Sequence, residues 1–120
     1  MRTIIITGAS GGLAQEMVKL LPNDQLILLG RNKEKLAQLY AKHPNVEWIE
    51  IDITDDSALE ALVADLYLRY GKIDVLINNA GYGIFEDFDQ ISDQDIHQMF
   101  EVNTFALMNL SRRLAARMKE

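Results

Sequence analysis

The chain of 120 residues has no cysteine, two prolines, two histidines and one tryptophan, and its 12 basic side chains are outnumbered by 18 acidic ones. Without cysteine, disulfides and thiolate metal sites are excluded outright. Histidine does not fill the gap. His43 sits beside Pro44 in a loop and His97 on a helix surface, and neither has the Asp, Glu or His spacing of a metal site. A net charge of −6 and a pI near 4.8 leave no basic stripe to follow a nucleic-acid backbone. No apolar run reaches membrane-spanning length. The first predicted strand begins at residue 3, leaving no room for a signal peptide, so the expected compartment is cytoplasmic.

What is present suits one compact domain over 1–120: 48% of the residues are hydrophobic, and a chain of this size buries roughly two thirds of its unfolded surface. Apolar runs rich in β-branched residues predict strands at 3–6, 25–29, 46–51 and 74–77. Helical spacing predicts helices at 12–21, 33–42 and 55–70, broken by Pro22-Asn23-Asp24, by His43-Pro44-Asn45 and by Gly71. Each parallel crossover needs a helix-sized connection and is right-handed, so this alternation predicts an α/β fold with helices on both faces. The expected architecture is a three-layer αβα, doubly wound parallel sheet of order 3-2-1-4, with a ligand crevice where strands one and four part. Further on, Ser92 with Asp95 resembles a capping pair that opens a helix to about residue 100, followed by a long helix ending near 118. In that helix Val102, Ala106, Leu110, Leu114 and Met118 recur every four residues, while Phe105, Leu107 and Met108 widen the apolar surface. One stripe must cover the sheet. The excess is expected to meet a second subunit, the alternative being a generous core helix.

The string TGASGGLA at 7–14 follows the first strand directly. Glycines there allow close backbone approach, and a helix N-terminus offers free N–H groups and a positive dipole end to an anion. The candidate phosphate ligands are Gly8, Ser10, Gly11, Gly12 and Leu13, with capping of the helix as the competing role for Ser10.

Three further strings share the order of one family: Asp52-Ile53-Thr54 after the third strand, Asn78-Asn79-Ala80-Gly81 after the fourth, and Asn103 early in the long helix. With TGxxxGxG, in which Ala14 takes the place of the last glycine, the chain resembles the cofactor-binding half of the short-chain dehydrogenases/reductases. The glycine turn can also be parsed as TGxxGxxA, as in extended epimerase-type relatives, but the NNAG string points to the short-chain group. The resemblance implies a Rossmann-like fold and hydride transfer between a nicotinamide and a carbonyl or alcohol. It also implies roles for particular residues. Asp52 and the Ile53 N–H border the adenine, with capping of the third helix as the competing role for Asp52; Asn79, Ala80 and Gly81 lie against the ribose while the asparagine amides tie the sheet to neighbouring loops, and Asn103 holds the catalytic proton path. At the tip of the second strand, where NAD-preferring relatives carry an acid, stand Arg31 and Asn32. Nothing there repels a 2′-phosphate, so NADP(H) is favoured, with NAD(H) as the alternative.

The family's catalytic serine and Tyr-x-x-x-Lys are missing. Four residues beyond Tyr40, Tyr67, Tyr70 and Tyr82 lie Pro44, Gly71, Asp74 and Glu86. These 120 residues alone are therefore expected not to turn over substrate, and strand four, lacking a fifth neighbour, is expected to expose a pairing edge. Self-association is expected through that edge or through the helix 102–118. The alternative is a stand-alone nucleotide-binding or interaction module that never catalyses.

Overall fold

The computed structural model describes residues 1–79, 92–94, 97 and 106–118. Its elements run β1 (Thr3–Ile6), α1 (Gly12–Lys19), β2 (Gln25–Gly30), α2 (Lys33–Tyr40), β3 (Val46–Glu50), α3 (Asp56–Tyr70), β4 (Val75–Ile77) and α4 (Leu107–Met118). The four strands form one sheet of order β3-β2-β1-β4, parallel throughout, as the alternation predicts.

Position in the sheet explains each strand's composition. All four residues of β1 are buried, because the strand is central and covered on both faces. β3, with a free edge, carries Glu47 and Glu50 and is half-buried. Ile5 lies opposite Ile27 on one side and Leu76 on the other. Side chains alternate across the sheet, so each strand feeds two cores. Ile4, Ile6, Leu26 and Leu28 pack with Ala14 and Val18 of α1 and with Leu36 and Tyr40 of α2. Ile5, Ile27 and Leu29 pack on the other face with Leu59, Val63 and Leu66 of α3 and with Ala106, Leu110 and Leu114. The result is three layers, α1 and α2 on one side and α3 and α4 on the other.

Helix ends depart from the sequence pattern by about one half-turn. α1 stops at Lys19 rather than 21, because the Leu20 and Leu21 N–H groups turn back to the Met17 and Val18 carbonyls and leave Leu20 78% exposed. α2 stops at Tyr40 rather than 42, since Pro44 disfavours helical backbone at His43, whose N–H bonds the Tyr40 carbonyl. α3 begins as expected, with the Asp55 carboxylate accepting from Ala58 N at 3.1 Å. Ala106, just before α4, and Leu110 and Leu114 on it form the buried stripe. Met118, expected to extend it, is 41% exposed, and Met108 faces solvent. Val102, Phe105 and the capping pair's Asp95 lie outside the described residues.

Candidate nucleotide site at the carboxyl ends of the strands

β1 ends between two diverging neighbours, and the chain spans both. The Thr7 N–H bonds the Ile77 carbonyl of β4, while the Ala9 N–H bonds the Leu29 carbonyl of β2, each at 3.1 Å. Between them Gly8 adopts φ 62°, a left-handed conformation that a side chain would strain. The turn closes with the Gly11 N–H on the Gly8 carbonyl at 3.2 Å. Gly11 then caps α1 by position alone: no side chain bonds the first turn, and no acidic residue lies in it. Ser10 is thus not the cap, and among the described residues nothing compensates the positive end of the helix.

Two features fit this turn to a phosphate group. A Cβ at Gly12 would meet nothing within 4 Å, so the space in front of the helix is open to a ligand. At the family's third glycine position, the Ala14 methyl is fully buried against β1, so the alanine is accommodated without opening the helix–strand contact. Leu13 is 66% exposed beside the turn.

The asparagine pair ties the turn to the sheet. Asn79 N donates to Thr7 Oγ1 at 2.9 Å and Asn79 Nδ2 to the Gly8 carbonyl at 3.2 Å. Asn78 Nδ2 reaches Ser111 Oγ of α4 at 2.9 Å. Ala80, Gly81 and Asn103 lie outside the described residues.

Farther along the edge, the tips of β2 and β3 bring Arg31 and Asp52 together, with Nη2 and Oδ2 3.9 Å apart. Asp52 Oδ1 accepts from the Thr54 hydroxyl at 2.7 Å and the Thr54 N–H at 3.0 Å, and these bonds, with the Arg31 charge behind them, hold its carboxyl below the usual range. Ile53 turns its side chain into the core, leaving only its backbone for a ligand. Asn32 caps α2, accepting from Lys35 N, and Glu50 accepts from Lys33 N, both at 3.1 Å. Arg31, Asn32, Lys33, Glu34, Ala37 and Glu50 line a hollow of about 670 Å³. Another, of about 540 Å³, opens beside Tyr67, Gly71 and Asp74, where β4 begins, away from the glycine turn.

Sequence reasoning placed Thr7 in the glycine-turn string without a role, and did not assign Tyr40 or Glu50 to this end of the sheet. Thr7 is wholly buried. Tyr40, 1% exposed, donates its hydroxyl to the Ala9 carbonyl at 2.5 Å, and burial pushes its phenol above the ordinary range. A tyrosine at a core-facing helix position is the one available signal, since a buried hydroxyl needs a partner. Among the described residues no helix is long and apolar enough to cross a membrane.

Comparison with known proteins agrees with this geometry. The short chain dehydrogenase family model matches residues 2–120. A ketoacyl reductase of Nostoc is 35% identical over 125 aligned positions, covering 99% of this chain and 44% of that protein. An NADPH-dependent 3-dehydrocapnine reductase of Ornithobacterium rhinotracheale is 29% identical, covering 95% and 42% respectively. A crystal structure of a short-chain dehydrogenase from Streptomyces avermitilis superposes with a TM-score of 0.87 at 32% identity, covering 98% of this chain and 44% of the other. The chain thus spans less than half the length of these three proteins. With the family model matching residues 2–120 and the sheet ordered 3-2-1-4, the chain belongs to the short-chain dehydrogenases.

Proposed function

We propose that the chain is the dinucleotide-binding part of an NADP(H)-preferring oxidoreductase that interconverts a small carbonyl compound and its alcohol. The observation that carries this reading is the uncapped, acid-free start of α1, facing open space at Gly12 beside the Asn79-anchored turn. Backbone N–H groups from Gly8 to Leu13, with the Ser10 hydroxyl, hold the pyrophosphate. Arg31 and Asn32 take the ribose phosphate, and Asp52 and the Ile53 N–H border the adenine. By the family resemblance, Asn79, Ala80 and Gly81 take the ribose, and Asn103 supports the proton path. When bound, the nicotinamide supplies the hydride chemistry. The NADPH dependence of the Ornithobacterium relative supports the preference for the phosphorylated cofactor. By itself the chain binds without turnover, because no tyrosine in it is followed four residues later by lysine. It works in the cytoplasm and self-associates through the edge of β4 or the outer face of α4.

A second reading is a nucleotide-binding module with no catalytic duty. Two measurements separate the possibilities. NADPH in hundredfold excess over its Kd is expected to stabilise the fold by about 2.7 kcal/mol, with NADH weaker at the same concentration. Absence of any shift with either overturns cofactor binding. Oxidation of NADPH with a panel of ketones and aldehydes, followed at 340 nm, overturns the inactivity if it turns over.

A further inference from the structure

We infer that Tyr40 is a positioning residue for the dinucleotide's phosphates, acting from α2 through the Ala9 carbonyl; this rests on the reading that the turn at Gly8 holds them. A peptide unit is a rigid plane in which the carbonyl and the next N–H point in opposite directions. By holding the Ala9 oxygen at 2.5 Å, the Tyr40 hydroxyl therefore also aims the Ser10 N–H, turning it away from the core. The preceding plane is fixed separately: its Gly8 oxygen accepts from Asn79 Nδ2 and Gly11 N, and its Ala9 N–H donates to Leu29. Two consecutive planes of the turn are thus pinned from three sides, by β2, by the NNAG segment and by α2.

The hydroxyl has no packing reason to be there. Tyr40 is 1% exposed among Ile6, Leu28, Leu36 and other apolar side chains, where phenylalanine fills nearly the same volume. Its polar atom is accounted for by Ala9, 31 residues back in the chain. The placement also joins both ends of the nucleotide site through one helix: Arg31 and Asn32 lead into α2, and Tyr40 ends it.

The test is Tyr40→Phe. In the protein without ligand, amide exchange at Ala9, whose N–H bonds the Leu29 carbonyl, should quicken when read by NMR, while Ile4 to Ile6 remain as protected as in the parent. NADPH affinity should fall about five- to tenfold, the effect of one buried hydrogen bond. Affinity for 2′-AMP, which carries the ribose phosphate but no pyrophosphate, should stay within about twofold on the same reasoning. Unchanged exchange and unchanged NADPH affinity overturn the inference, as does an equal loss for both ligands. A variant that cannot fold overturns it too, by giving the hydroxyl to the core alone. Failure of the parent to bind NADPH is a different result: it defeats the nucleotide reading and the phosphate role together, while the exchange data still decide whether Tyr40 sets the turn.

Discussion

Arg31 Nη2 and Asp52 Oδ2 stand 3.9 Å apart across the tips of β2 and β3, both in contact with solvent, at 66% and 48% side-chain exposure. A pair this open and this long is held weakly. Asp52 is meanwhile satisfied by Thr54, so Arg31 can leave it for a better acceptor. A phosphate dianion is such an acceptor, since a guanidinium bonds it through two parallel N–H groups. Arg31→Ala should therefore lower NADPH affinity about tenfold or more and leave NADH nearly untouched. Isothermal titration with the two cofactors checks it. Equal losses for both place Arg31 elsewhere than on the 2′-phosphate.

Leu110 is fully buried where α4 meets the sheet, in one core with Ile5, Leu66 and Leu114. Leu110→Ala should cost about 2–5 kcal/mol, from lost transfer energy and the cavity left behind. The urea midpoint should drop with the slope unchanged. Met108, 65% exposed on the same helix, offers the contrast. Met108→Ala should move stability by less than about 0.5 kcal/mol. If this face meets a second copy, the same variant should lower the mass seen by light scattering at high concentration.

How much could be read in advance follows from the range of the physics. β1 and β2 were legible because a strand covered on both faces is apolar without interruption, and the order 3-2-1-4 followed from crossover length and hand. The glycine turn was legible because φ 62° at Gly8 and open space at Gly12 are local demands on residue type. Helix ends were less so: Leu20 continues the apolar period although its N–H has already turned back to Met17. Contacts that need the closed fold were not legible. Nothing near Tyr40 in sequence points to Ala9, and Glu50 meets Lys33 N only because β2 and β3 pair in a register that puts Gly30 beside Glu50.

Acid should destabilise the fold, and the sign follows from its carboxylates. Glu47 accepts from Arg69 Nη1 and Nη2, its two oxygens each 2.8 Å away, and from the Tyr70 hydroxyl. The Arg69 bonds first, with the Tyr70 hydroxyl adding to them, hold its carboxyl below the usual range against the opposing effect of burial. Asp24 beside Arg2, Asp74 on the Thr3 N–H and Asp56 beside Asn109 and Arg113 are lowered as well. In each case the unfolded chain binds protons more readily than the folded one. The stabilisation is fully present above the unfolded carboxylate pKa of about 4 and is lost as pH falls through the lower folded values. The melting temperature should hold level from pH 7 to about 5 and drop below about 4. Glu47→Gln should melt lower than the parent at pH 7, and the gap should narrow in acid. A constant gap across the range means that the pair is not what titrates.

The glycines at 8, 12 and 71 separate space for a ligand from strain in the chain. Gly12 lies in the first turn of α1, has no positive φ and faces nothing within 4 Å, so Gly12→Ala should leave stability unchanged or raise it by about 0.4–1 kcal/mol. The same methyl enters the space assigned to the pyrophosphate, and NADPH affinity should fall about tenfold through overpacking. Gly71, with φ 79° at the end of α3, reverses the pattern. Gly71→Ala should destabilise by about 1 kcal/mol, a methyl being strained at that angle, and spare the cofactor. Gly8, at φ 62° inside the turn itself, should lose both on substitution by alanine. Melting curves and NADPH titrations on the three variants resolve the series. A Gly12→Ala protein that is stable and binds NADPH like the parent removes the phosphates from the start of α1, and with them the placement of every other cofactor contact along the sheet.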